Sequence, residues 1–311
     1  MRLKHSRLNA ESLGTVSAIV STVLTGINIY LVKVIAISNR LLLTSLILTL
    51  AGLVLAIVNT ISGRIIESLF LGKEHLFEFL WIGIIGTSIP LSMVYYGLSL
   101  SPISNTFLLQ VEVIYSMVLS RLLLRERISG WQILLSLSAF LGVFLITTEG
   151  AVREISIGDI LFLLAPFFFQ CGHVVAKNLM RIVNPLITVM FRLLIGGIAP
   201  LFTLIILDQN FLESIRGIPG NYGAMIIGVS ISYAIGNSFW YYSVRNINLS
   251  RATSIIITYP LVSMILSLFT LGEKISPIKL LGIVITFSSI LGLSLLRGKS
   301  ELITQRRGET H

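Results

Sequence analysis

Arg125-Glu126-Arg127-Ile128-Ser129 and, about 147 residues later, Gly272-Glu273-Lys274-Ile275-Ser276 are two versions of one charged signature. Each follows the fourth apolar segment of a half-chain, and a fifth segment comes after it. Upstream, the doublets Tyr95-Tyr96-Gly97-Leu98 and Tyr241-Tyr242-Ser243-Val244 recur at nearly the same interval, and Lys33 and Lys177 each close a long apolar stretch. A chain that says the same thing twice in five apolar segments reads as a duplicated bundle of membrane helices.

Composition agrees. Of 311 residues, 54% are hydrophobic and only 12% charged, against roughly 25% charged in an ordinary globular chain. The mean hydropathy is +0.91. The apolar residues come in runs of about 20, enough to cross a hydrocarbon layer of about 30 Å as helices. The net charge of +9 does not make a nucleic-acid surface, because the basic residues sit at the ends of apolar runs rather than in one patch with interleaved aromatics. Cys171 is the single cysteine, so no intramolecular disulfide forms. His5, His75, His173 and His311 are scattered without ligand spacing, and no metal or cofactor is expected. The basic stretch Met1–Arg7 precedes an apolar run to about Ala36, too long for a signal peptide and read as a first membrane helix.

The expected spans are 13–36, 41–62, 77–98, 105–124 and 131–148 in a first repeat over residues 1–150, and 158–180, 185–207, 222–244, 253–271 and 278–296 in a second over 151–311. With ten spans both termini share a side, which collects Arg2, Lys4, Arg7, Arg64, Lys73, Arg121, Arg125, Arg127, Lys177, Arg181, Arg245, Arg251, Arg297, Lys299, Arg306 and Arg307. The other side keeps Arg40, Arg153, Arg216, Lys274 and Lys279. Cytoplasmic loops retain the excess of lysine and arginine, so both termini are expected in the cytoplasm. An odd number of spans per half inverts the second half relative to the first. Such inverted repeats place a site at mid-membrane between them and supply two mirror-related conformations.

The layout, the two signatures, the tyrosine doublets and the Tyr259-Pro260 pair together resemble the drug/metabolite transporter superfamily, and within it the EamA-type permeases. That resemblance covers essentially the whole chain. It implies an all-α integral membrane protein of ten transmembrane helices, arranged as two inverted five-helix repeats around a central cavity that opens alternately to each side, with a small organic solute as cargo. Two departures stand out: Glu112-Val113 where the family often has Glu-Pro, and a connection from Lys33 to Arg40 that is about eight residues shorter than the matching Lys177 to Arg192, and so cropped.

Glu112 is the foremost candidate for chemistry. About eight residues into its span, it lies roughly 12 Å deep if helical at 1.5 Å per residue. An ionisable group at that depth is costly and faces a cavity or a partner. It can take up a proton, pair with a cationic group of a solute, or serve as a structural carboxylate. Asn105, seven residues earlier, shares its helical face, or else caps the span after Pro102. Arg192 sits at a comparable depth from the opposite side, so a structural Arg192–Glu112 pair is one arrangement open to it. Pro166, Gln170, His173 and Lys177 form a polar stripe that is expensive toward lipid. Gln170 and His173 are cavity candidates, with interhelical hydrogen bonding as the alternative, while Lys177 snorkels.

Tyr233, Asn237, Trp240 and Tyr241 share one side of the eighth span, and Ser88, Ser92, Tyr95 and Ser99 answer in the third. Tyr96 and Tyr242 fit the interfacial belt. Ser21, Thr25 and Asn28 make a small polar face on the first span. The solute-contact set is therefore Glu112, Asn105, Tyr95, Gln170, His173, Asn237, Trp240, Tyr241 and Tyr259, with Glu112 and His173 as proton-coupling candidates.

No phosphate-cradling Gly-x-x-x-x-Gly-Lys-Ser/Thr loop occurs, so direct use of ATP by this chain is not expected. The expectation is a non-enzymatic secondary transporter of the plasma membrane, exporting or exchanging a small metabolite, amino acid or drug-like solute. Its partners are that solute and membrane lipids, with no nucleic acid and no oligomeric state legible. A lipid flippase of the same fold is the alternative. A polytopic lipid-modifying enzyme is a weaker one, because its nearest acidic cluster, Glu149, Glu154 and Asp159, reads as solvation of an external loop.

Overall fold

The structure, a computed structural model, describes residues 2–37, 39–112, 114–115, 118–119, 130–148, 155–207, 211–247, 252, 255–256, 258–272, 274–289 and 291–292. Among them every regular element is helical. The first half runs through α1 (Arg2–Val34), α2 (Arg40–Ile61), a short α3 (Ile65–Glu74), α4 (Leu76–Leu80), α5 (Ile89–Leu100) and α6 (Gly130–Thr148). The second comprises α7 (Ile157–Leu179), α8 (Pro185–Leu207), a short α9 (Phe211–Arg216), α10 (Gly220–Asn246), α11 (Tyr259–Thr270) and α12 (Pro277–Ser289). Among the described residues, five stretches, 11–34, 40–61, 76–100, 157–179 and 185–206, are long and apolar enough to cross a membrane, and three shorter apolar helices accompany them.

Two segments depart from regular helix. The third is composite, because a π-helical stretch, Trp81–Ser88, joins α4 to α5. Pro90 lies in the first turn of α5 and brings no N–H to the carbonyl four residues back, which favours wider turns ahead of it. The Thr87 hydroxyl donates to the Ile82 carbonyl at 2.8 Å inside those turns. The fourth segment begins after Ser101-Pro102 as a 3₁₀ helix, Ile103–Val111, and reaches Glu112 at its end.

The most extensive packing joins one half to the other, with α1 on α10, α2 on α8 and α5 on α7. Small residues permit the closest of these crossings. A Cβ on Gly86 would stand 2.5 Å from the Cα of Gly172, so the π-helical stretch and α7 meet backbone to backbone. Large apolar side chains such as Leu137, Phe140 and Phe144 on α6, or Phe202 and Ile206 on α8, point outward, while Thr44, Ser45, Asn59 and Thr188 are buried. That distribution suits a bundle whose solvent is lipid.

The connection after α1 is not cropped. Residues 35–39 join α1 to α2 and residues 180–184 join α7 to α8, equal lengths, because Arg40 opens α2 whereas Arg192 lies well inside α8. The two arginines are therefore not equivalent. Arg40 is buried, and its Nη1 donates to the Ile35 carbonyl at 3.0 Å and the Val32 carbonyl at 3.4 Å, satisfying the end of α1. Lys33 does the same for α5, donating to Leu98 O at 2.5 Å and Ser101 O at 3.1 Å.

At the same end of the bundle, Ser156 and Asp159 form a capping box that starts α7, with Ser156 Oγ accepting from the Asp159 amide at 3.1 Å. Replacing Ser156 with alanine is expected to cost about 1 kcal/mol, read as a lower unfolding temperature in detergent. Asp159 does more than cap. It is buried, and its Oδ1 accepts from Asn105 Nδ2 at 2.6 Å and Ser101 Oγ at 3.0 Å, while Lys279 Nζ donates to Asn105 Oδ1 at 2.5 Å. Asp159 thus belongs to a buried network rather than a solvated loop; Glu149, Glu154 and the signature residues Arg125–Ser129 and Glu273 lie outside the described residues.

Candidate solute-binding site

Six of the nine expected contact residues, Tyr95, Glu112, His173, Asn237, Trp240 and Tyr259, line one cavity between the halves. Its volume is about 100 Å³, room for several waters or part of a small solute. Ser21, Thr25 and Asn28 of α1 supply its polar floor, as their spacing on one face requires.

Glu112 is held rather than loose. Gln170 Nε2 donates to its Oε1 at 2.6 Å, and His173 Nε2 stands 3.9 Å from the same oxygen. Gln170 itself is outside the cavity wall and positions the acid. His173 is enclosed by rings, stacked with Phe169 at 6.4 Å between centroids and edge-on to Trp240 at 5.5 Å. Tyr241 also sits behind the wall, its ring under the Arg192 guanidinium at 5.0 Å. Asn105 is elsewhere, in the Asp159–Lys279 network. The shared face expected for Asn105 and Glu112 belongs to an α-helix. In the 3₁₀ helix that forms, with three residues per turn, positions seven apart diverge by about 120°.

A structural Arg192–Glu112 pair is one arrangement open from the sequence, with Arg192 outside the expected solute contacts. Arg192 is 3% exposed, lines the cavity, and its Nε donates to Thr87 Oγ1 at 2.7 Å. Among the described residues no ion pair within 4.0 Å joins Arg192 to Glu112. Tyr233 and Phe169 also line the wall without having been singled out as contacts. For Arg192 the signal was present: a lone arginine mid-way along an apolar segment carries the same cost argument as Glu112.

A model of the EamA-like transporter family matches the chain twice, over residues 12–148 and 156–295. The chain belongs to the EamA-like transporter family. As such it is a multi-pass membrane transporter and not an enzyme, built from two EamA-like repeats. Among curated relatives, the uncharacterized transporter YyaM of Bacillus subtilis (strain 168) is 23% identical over 229 residues, spanning 71% of this chain and 74% of that protein. The riboflavin transporter ImpX of Fusobacterium nucleatum subsp. nucleatum is 24% identical over 236 residues, 73% of this chain and 79% of its own. A solved structure described only as a crystal structure of a protein superposes with a TM-score of 0.64 at 15% identity, covering 93% of this chain and 96% of that one, a likeness of fold.

Proposed function

We propose that this EamA-like protein is a secondary transporter of the plasma membrane that moves a small organic solute through the central cavity by alternating access, with Glu112 taking up and releasing a proton in the cycle. The observation that carries this reading is the cavity itself: a carboxylate, a histidine and an aromatic wall enclosed between two halves of a duplicated chain. Ten spans in two inverted sets of five support the rocking of one half against the other. The lysine and arginine excess at the end holding Arg64, Lys73, Arg181 and Arg245 supports cytoplasmic termini. A riboflavin transporter among the relatives supports a metabolite as cargo.

Glu112 touches both Gln170 and the cavity, so its proton and a solute meet at one place. In proteoliposomes, substituting Glu112→Gln is expected to remove the acceleration of solute flux by a pH gradient while solute exchange at equal pH persists. A variant that keeps its full pH-gradient dependence would overturn the coupling. Failure of the unmodified protein to exchange any metabolite across a broad panel would overturn the transport reading.

A lipid cargo is the second reading, favoured by a groove of about 640 Å³ at the end carrying the α1 start, lined by Val54, Val58, Ile235 and Phe239 and edged by Arg64 and Arg245. Those arginines complement an anionic headgroup. Scrambling of a fluorescent anionic phospholipid that depends on Arg64 and Arg245, without solute exchange, is the result that would select it.

A further inference from the structure

Arg192 is a cation with an unfilled place. It is almost wholly buried and lines the central cavity. Its Nε is bound to Thr87 Oγ1 at 2.7 Å and its plane is backed by the Tyr241 ring, so the guanidinium is fixed in position. Nη1, by contrast, is buried and has no hydrogen-bond acceptor among the described residues. A buried charged donor left without an acceptor is costly, and retaining one is reasonable where a ligand supplies the acceptor.

The other ionisable groups of the cavity do not fill that place. Glu112 Oε1 is engaged by Gln170 and faced by His173, and no ion pair within 4.0 Å joins Glu112 to Arg192 among the described residues. Tyr95, Tyr233 and Tyr259 line the same space and are not anionic counterparts. The Tyr95 hydroxyl and Asn28 Oδ1 are likewise buried with no partner among the described residues, so the cavity holds further polar positions for a bound molecule.

From this arrangement we infer that the transported solute carries a carboxylate, which docks on Arg192 with its apolar, planar body against Trp240 and Phe169. This inference rests on the reading of the central cavity as the transport site. The fork of a guanidinium matches the two oxygens of a carboxylate, and aromatic walls favour a flat body. A neutral amide of the same shape offers the guanidinium one oxygen in place of two and no negative charge to set against the cation, and so binds far more weakly. Charge compensation follows too: a proton on Glu112 accompanying the anion makes the loaded cavity carry less charge through the membrane than either alone.

The experiment compares benzoate with benzamide as probes on purified full-length protein. Benzoate is expected to raise the unfolding temperature in a saturable, concentration-dependent manner, and benzamide to leave it unchanged. Arg192→Gln is expected to weaken the benzoate response at least tenfold, and Arg192→Lys, which keeps the charge but not the fork, less than that. Thr87→Val, which frees the guanidinium without removing it, serves if the Gln variant does not fold; it is expected to weaken benzoate binding several-fold.

Equal responses to benzoate and benzamide, a benzoate response untouched by all three substitutions, or none in the unmodified protein would each overturn the carboxylate assignment. Equal responses that both vanish in Trp240→Ala would do so while leaving the central cavity as the binding site. Absence of any solute exchange in proteoliposomes would instead strike the transport reading itself.

Discussion

An Asp159→Leu variant is expected to lose about 3–5 kcal/mol of stability, the cost of breaking a buried charge network by removing one partner. Asp159 Oδ1 holds both Ser101 and Asn105, and Asn105 relays to the buried Lys279 ammonium. Leucine removes the negative end and the half of the capping box that the carboxylate supplies to the Ser156 amide, while the ammonium stays. Thermal unfolding in detergent is the measurement. Adding Lys279→Met is expected to recover part of the loss, because the buried ammonium that Asn105 links to Asp159 goes with it. A single variant within about 1 kcal/mol of the parent, or a double variant whose losses simply add, would show that the network carries no coupling.

Valine at Gly86 is expected to be nearly as damaging, for a steric reason. The added Cβ would lie 2.5 Å from the Gly172 Cα, and both contacting partners are backbone, so no side chain can swing away. Separating the helices costs about 3 kcal/mol or more in lost packing and strain. It also shifts Thr87, next in sequence, from the Arg192 guanidinium it orients. The expected outcome is poor recovery of monodisperse protein and loss of solute exchange. Gly172→Val should behave alike. Gly228→Ala, where a Cβ meets nothing within 4 Å, should be tolerated.

Much of the fold and of the candidate site was legible because membrane burial makes polarity expensive, and the expense shows in sequence. Glu112, His173, Asn237 and the Ser21–Thr25–Asn28 face all stood out against apolar surroundings, and all line the cavity. What escaped was backbone geometry. Treating the fourth segment as an α-helix put Asn105 on the face of Glu112; the 3₁₀ turns rotate it into the Asp159 network and, at about 2 Å per residue, carry Glu112 deeper than the α-helical rise implies. Asp159 was misread by composition, although Ser156-x-x-Asp159 at the start of an apolar run is itself a capping signature. Matching Arg40 to Arg192 by residue type, instead of by helix start, produced a cropped connection that does not exist.

The duplicated frame gives its two halves equal roles, but the cavity does not inherit that equality. Counted from the helix starts, the place of Arg192 in α8 falls on Ile47 in α2; Glu112 answers to Tyr259, and aligning the tyrosine doublets sets Thr87 against Tyr233. The acid therefore comes from the first half and the arginine from the second, with no mirror image of either. A chamber with an arginine at one corner and a carboxyl group at another has a compass bearing. Under the alternating access proposed above, a molecule held there would keep the same heading whichever door admitted it, so a single pose would serve both faces of the membrane.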